Sequence, residues 1–150
     1  MKSKMRMKQP ASLLLTLACL LSAGMVHADN AGVHAPGVLQ TRDGGQVYRQ
    51  ICQGCHMPDG RGASGAGHYP ALAGNPTVAS SRYMALTILQ GRRNMPSFEP
   101  RPSDEAFFVP ASLTDQQVAA VINYVRTHFG NHYRDAISTA EVQALHQASR

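Results

Sequence analysis

The chain has 150 residues and a formal net charge of +5, with 14 lysine and arginine residues against 9 aspartate and glutamate residues. A chain of this length suffices for one domain. The positive charge does not indicate a nucleic-acid partner, because the first 28 residues hold four basic residues and no acidic one, and no basic patch alternates with aromatic residues.

The first 28 residues are organised like a secretory signal peptide. Basic residues precede an apolar run from Ala11 to Leu21, and small residues stand before a predicted cleavage point after Ala28. The apolar run is short for a transmembrane helix, so a retained membrane anchor is the less favoured interpretation. Cleavage would leave ten arginines against nine acidic residues, a net charge of +1. We therefore predict an exported, periplasmic protein without a membrane span.

A flexible lead-in is predicted over residues 29–37, followed by a first helix from Thr41 to Ile51. This helix leads into the segment from Cys52 to His56, which reads CQGCH. Two cysteines three positions apart, followed directly by histidine, are the attachment signature of a c-type haem. Each cysteine sulfur adds to one vinyl group of the porphyrin, the adjacent imidazole binds the iron, and a helical turn brings the three groups together.

Two other kinds of site also use paired cysteines. A thioredoxin-like redox pair is expected within a βαβ unit, and a zinc site needs a second pair of cysteine or histidine ligands. The sequence has neither pattern, and loss of Cys19 with the signal peptide would leave only the two cysteines of the motif, Cys52 and Cys55. One covalently attached haem c is therefore the predicted cofactor.

Residues 57–77 are rich in glycine and proline, which predicts a loop able to wrap around a large flat ligand. A second helix is predicted from Ser80 or Ser81 to Gln90, with Gly91 ending it. The apolar face of this helix comprises Met84, Ile88 and Leu89.

The stretch from Arg92 to Pro110 contains four prolines and is predicted as a second long loop. A third helix is predicted to begin at the capping box that opens with Thr114 and to end at Gly130. Ser138 is expected to cap a short terminal helix. Because no alternating strand pattern of useful length is present, the predicted fold class is all-α, with three main helices and long loops.

His56 is the predicted proximal ligand of the iron, and the sixth ligand must come from another part of the chain. Met57 follows His56 too closely to reach the opposite face of the porphyrin. Met84 lies on the apolar face of the predicted second helix, where core packing is the favoured role. Met95 lies in a proline-bounded loop about forty residues after the motif and is the favoured second metal ligand. His68 is an alternative ligand, although a surface position in the loop is favoured for it.

A methionine ligand would have two consequences for function. Its thioether favours the ferrous state and raises the reduction potential, and it also fills the sixth coordination position. The predicted function is therefore electron transfer, with no catalytic residue. A haem peroxidase or gas sensor is the less favoured class, because the loop around Met95 offers no distal acid–base group except Arg92 or Arg93. These two arginines are also candidates for pairing with haem propionates or for a solvated surface.

Gly44, Tyr48 and Tyr124 stand where the class I cytochrome c family packs its first helix across its last, and the chain resembles that family over residues 38–130. The resemblance implies a class I cytochrome c-like fold around one c-type haem. In that fold the glycine lets two helices approach closely, and the aromatic rings fill the crossing.

The segment from Tyr69 to Gly74 is similar to the loop that follows the haem motif in this family. By that resemblance the Pro70 carbonyl accepts a hydrogen bond from His56, which fixes the imidazole ring and increases its basicity. The resemblance also implies that Leu72 packs on the haem.

The implied organisation is a cytochrome c domain over residues 38–130 and a C-terminal extension over residues 131–150. The segment from Phe129 to Asp135 is similar to the haem subunits of membrane-associated alcohol and gluconate dehydrogenases, which carry three haem motifs where this chain has one. The expected partners are redox proteins, either dehydrogenases or terminal oxidases and reductases. A free monomeric carrier and an accessory subunit of an exported dehydrogenase or oxidase complex both remain open, and the extension is hypothesised to help hold a partner.

Overall fold

The structure is a computed structural model that describes residues 39–65, 67–100 and 111–149. The predicted signal peptide and lead-in lie outside the described residues, as does the second half of the loop predicted from Arg92 to Pro110.

The first helical run carries the haem motif. It comprises α1 (Gly44–Val47), a π-helical turn (Tyr48–Cys52) and α2 (Gln53–His56). The helix begins three residues later than predicted because the Asp43 side chain accepts the Gln46 N–H at 2.7 Å, which fixes its start. A π-helical turn often marks a functional site, and this one leads directly into the two cysteines and the histidine.

The stretch predicted as a plain loop after the motif contains short regular elements. Strands β1 (Ala63–Ser64) and β2 (His68–Tyr69) pair antiparallel, and a 3-10 turn covers Pro76–Ala79. The expectation of no strand is wrong here. Strands of two residues each are too short to show the alternation by which a strand is read from sequence.

The second helix was predicted almost residue for residue. Helix α3 covers Ser81–Gln90, the Ser80 hydroxyl accepts the Tyr83 N–H at 3.1 Å, and Gly91 ends the helix at a φ of +75°. The predicted apolar positions Met84, Ile88 and Leu89 are all buried.

Helix α4 covers Asp115–Thr127, and helix α5 covers Thr139–Ala148. Each helix opens with a complete capping box, at Thr114 and at Ser138 as predicted. Helix α4 ends three residues before the predicted stop. Phe129 already adopts a left-handed φ of +59°, and its ring packs 4.8 Å from the Tyr48 ring.

The crossing of α1 and α4 is the packing that the family resemblance implied. A Cβ atom at Gly44 would lie 2.6 Å from the carbonyl carbon of Ala120 and 3.0 Å from the Cβ of Tyr124. Only glycine fits such a contact. The rings of Tyr48 and Tyr124 lie 5.7 Å apart beside it and fill the crossing.

Helix α5 packs against both α3 and α4. Its Val142 is completely buried, and Leu145 and the preceding Ile137 are also buried. The extension predicted over residues 131–150 therefore contributes to the same hydrophobic core as the rest of the described chain. Among the described residues, no helix combines the length and apolarity needed to cross a membrane.

A buried arginine joins the extension to the segment before α3. Arg126 is 1% exposed, and its guanidinium donates to the carbonyls of Val78 at 3.0 Å and Ala79 at 2.9 Å. It also forms a 2.8 Å ion pair with Asp135 and donates to that residue's carbonyl. The Arg126 guanidinium holds the pKa of the Asp135 carboxyl below its usual range. Over the described residues the fold is all-α apart from the hairpin of β1 and β2.

Candidate haem site

The two cysteines of the motif are free thiols, with Cys52 half-buried and Cys55 exposed. Burial, together with a smaller contribution from the neighbouring Cys55, raises the pKa of the Cys52 thiol to about 12. Because the thiols are not joined in a disulfide, both are free to form thioethers. Within the described ranges, no three side chains of His, Cys, Asp or Glu are grouped as a metal ion would require.

The imidazole of His56 is oriented by a backbone carbonyl. Its Nδ1 lies 2.9 Å from the carbonyl oxygen of Pro70. A carbonyl oxygen only accepts hydrogen bonds, so Nδ1 carries the proton and donates it. Nε2 then keeps its lone pair, which is the form of imidazole that binds iron. The residues present therefore fit a c-type haem, and the hydrogen bond implied by the family resemblance is present.

The loop that carries Pro70 is bound closely to the helix that carries His56. The Gly62 N–H donates to the His56 carbonyl at 3.0 Å. A Cβ atom at Gly62 would lie 2.7 Å from the carbonyl carbon of Pro70, so a larger residue would push the carbonyl away from the imidazole. Leu72 follows in the same loop, is half-buried and packs against the hydrophobic core.

A tyrosine holds the end of the helix beyond His56. The Tyr48 hydroxyl donates to the Met57 carbonyl at 2.6 Å, where the backbone turns through a left-handed φ of +65°. Burial raises the pKa of Tyr48 to about 12, with Cys52 as the next cause, so the hydroxyl stays a donor at neutral pH. Sequence reasoning placed Tyr48 in the helix crossing but missed this hydrogen bond.

Met95 lies at the end of a tight turn that follows α3. The backbone of Arg92 and Met95 exchanges two hydrogen bonds of 3.0 Å each, and Arg93 between them has a φ of +54°. The Met95 side chain is half-buried and packs against the core. Met84 is buried within α3, which agrees with its predicted packing role.

Two of the other candidate ligands or haem partners, His68 and Arg92, have protein contacts of their own. His68 is exposed on β2, and its Nδ1 lies 3.3 Å from the Ser64 hydroxyl. Arg92 contacts Tyr83 through a hydrogen bond to the hydroxyl and lies 5.6 Å above the ring centre. Arg93 is exposed.

The sequence pattern of the cytochrome c family matches residues 41–129. The chain therefore belongs to the cytochrome c family. It is a class I cytochrome c with a covalently attached c-type haem, and its general role is electron transfer.

Two relatives are subunits of larger enzymes. The fructose dehydrogenase cytochrome subunit of Gluconobacter japonicus is 34% identical over 120 residues, which cover 73% of this chain and 22% of that protein. The alcohol dehydrogenase (quinone) cytochrome c subunit of Gluconobacter oxydans (strain 621H) is 32% identical over 113 residues, covering 71% of this chain and 22% of the relative. The chain thus spans about a fifth of the length of these two subunits.

A smaller cytochrome is also similar. Cytochrome c-552 of Thermus thermophilus is 31% identical over 94 residues, which cover 59% of this chain and 70% of that protein.

Proposed function

We propose that this protein is a periplasmic single-haem cytochrome that transfers single electrons by outer-sphere exchange. Cys52 and Cys55 hold the porphyrin, and His56 and Met95 are the axial ligands. The observation that carries the proposal is the 2.9 Å contact between His56 Nδ1 and the Pro70 carbonyl, which leaves Nε2 available to iron. The half-buried Met95, held in its tight turn, supports the choice of second ligand.

The haem, when bound, supplies a metal that alternates between two oxidation states. The chain's own residues keep the ligands in place during that change. Pro70 keeps the proton of His56 on Nδ1, and Tyr48 fixes the backbone immediately after the motif. Leu72 supplies apolar packing at the same loop. Rigid ligation keeps structural change on electron transfer small, and no substrate bond is made or broken by this chain.

The mature protein, purified from cells able to attach haem, tests this function. Its intact mass is expected to exceed that of the polypeptide by one haem, and its reduced-minus-oxidised spectrum is expected to be that of a six-coordinate c-type cytochrome. Carbon monoxide is expected to bind slowly or not at all, because methionine fills the sixth position. Rapid binding to the reduced protein would contradict electron transfer with two retained ligands. Periplasmic fractionation of the same cells tests the location.

The relatives support a second role, as an accessory electron-transfer subunit of an exported dehydrogenase. Both Gluconobacter proteins are cytochrome subunits of dehydrogenases. A free carrier is expected to elute as a monomer from size-exclusion chromatography of a periplasmic extract. A subunit is expected to elute with one large partner whose substrate reduces the haem.

The structure changes how a docking role for residues 131–150 must be tested. Because Val142 and Leu145 are buried in the core, deletion of the whole extension would remove part of the fold. Substitutions on the exposed side of α5, such as Gln143→Arg and Gln147→Glu, leave that packing intact. Unchanged electron transfer to a partner in both variants would exclude this face of the extension from docking.

A further inference from the structure

Asn131 follows the Phe129-Gly130 turn, and its side-chain amide forms three hydrogen bonds to the backbone. Asn131 is 4% exposed. Its Nδ2 donates to the carbonyls of Val125 at 2.9 Å and Leu72 at 3.1 Å, and its Oδ1 accepts the Gly74 N–H at 3.2 Å. Two carbonyls and one N–H leave only one orientation of the amide that satisfies all three groups.

These contacts join the end of α4 to the loop that carries Pro70. Val125 lies in the last turn of α4, and its carbonyl also accepts the N–H of His128, the residue that caps the helix, at 3.3 Å. Leu72 and Gly74 follow Pro70 by two and four positions. On its other side the same loop is held by Gly60, whose carbonyl accepts the N–H of Leu72 at 2.7 Å and of the next residue at 2.9 Å. The loop after Pro70 is therefore held from two sides.

We propose that Asn131 is a positioning residue for the proximal haem ligand, holding the Pro70 carbonyl at hydrogen-bond distance from His56 Nδ1. This inference rests on the proposed role of His56 as an iron ligand. A shorter Nδ1–H···O bond makes Nε2 a stronger electron donor, and a stronger donor favours ferric over ferrous iron. Loss of the Asn131 contacts is therefore expected to lengthen that hydrogen bond and raise the reduction potential.

Asn131→Asp tests the proposal selectively. The variant keeps an oxygen to accept the Gly74 N–H but places its second oxygen against the two carbonyl oxygens. Asn123→Asp is the matched control. The Asn123 amide likewise bonds only backbone groups, but of a single residue, donating to the Ile137 carbonyl at 2.9 Å and accepting its N–H at 3.0 Å. Asn123 lies on α4 and, among the described residues, has no hydrogen bond to the Pro70 loop, so it reports the effect of weakening the C-terminal extension alone.

Both variants are made in the full-length holoprotein, and the visible spectrum first confirms haem attachment. We expect Asn131→Asp to shift the redox equilibrium at least threefold toward the ferrous form, about 28 mV at 59 mV per tenfold for one electron. The Nδ1–H proton resonance of His56 in the reduced protein is expected to move upfield, and the Gly74 amide to exchange faster. Asn123→Asp is expected to leave all three measurements unchanged.

Equal shifts in the two variants, or no shift in either, would overturn the positioning role. A parent spectrum without histidine ligation would instead refute the proposed function, so the two failures are distinguishable. If Asn131→Asp does not yield folded protein, Asn131→Ala replaces it. That variant leaves a small polar cavity in which water can reach the same backbone groups. A potential and a His56 resonance equal to those of the parent would then overturn the proposal.

Discussion

Substitution of Gly44 by alanine is predicted to destabilise the fold, because the new methyl group would clash with the backbone of α4, which cannot move aside as a flexible side chain could. The new Cβ would lie 2.6 Å from the carbonyl carbon of Ala120 and closer still to its oxygen, whereas ordinary contacts begin at 3.4 Å, so the two helices must separate by more than about 0.8 Å. Alanine gains up to about 1 kcal/mol over glycine in a helix. Overpacking costs about 1–3 kcal/mol, and a rigid carbonyl places this site at the upper end. We expect a net loss of about 2 kcal/mol.

The assay is equilibrium unfolding of the haem-loaded protein in urea. Gly54→Ala serves as the control, because no described atom outside its chain neighbours and its own helix backbone lies within 4 Å of the added Cβ. The control is expected to stabilise the protein by up to about 1 kcal/mol, or to leave it unchanged. Only the alanine at position 44 is thus predicted to make the protein less stable than the parent. If Gly44→Ala were as stable as the parent, the close crossing of α1 and α4 would be refuted.

Three further substitutions, with one surface control, test the packing of the fold. Tyr48→Phe leaves the carbonyl after the motif without its hydroxyl donor and is expected to cost about 1–3 kcal/mol in urea unfolding, so an unchanged stability would contradict that hydrogen bond. Asp135→Asn is expected to destabilise the protein at pH 7. The paired carboxylate has a lowered pKa, so the difference from the parent should begin to shrink as the pH falls through the ordinary aspartate pKa of about 4 and should be lost below the lowered pKa of the folded protein; a difference constant from pH 7 to 3 would exclude the ion pair with Arg126. Val142→Ala should cost about 2 kcal/mol, whereas Gln143→Ala on the exposed side of α5 should change stability by less than about 0.5 kcal/mol.

The helices were predictable because their signals are local. Ser80, Thr114 and Ser138 each accept an N–H three residues along the chain, so three or four neighbouring residues define each start. The haem motif is also local, since its two cysteines and histidine occupy five consecutive positions.

Contacts between distant segments were not predictable in the same way. The bond between His56 and Pro70 spans fourteen residues and was expected only from the family resemblance. The contacts of Arg126 with Val78 and of Asn131 with Leu72 span 48 and 59 residues. An arginine or an asparagine in a sequence does not indicate such a partner, because the packing of the helices decides which backbone groups come within reach.

The sequence did not predict that the C-terminal extension packs into the core, and the reason is the same. The capping box at Ser138 predicted helix α5 correctly, but no local pattern shows which surface a helix covers. Burial of Val142 and Leu145 places α5 in the core. A sequence boundary drawn at Gly130, where the resemblance ends, therefore separates residues that fold together.

The axial ligand pair is tested most directly by replacing Met95 and Met84 separately with alanine and titrating each reduced protein with carbon monoxide. We predict that Met95→Ala binds carbon monoxide rapidly and has a lower reduction potential, because the thioether is lost from the iron. Met84→Ala should weaken the fold by about 2–5 kcal/mol but keep the parent spectrum and potential. If Met95→Ala kept the parent's potential and its resistance to carbon monoxide, Met95 would not be the sixth ligand.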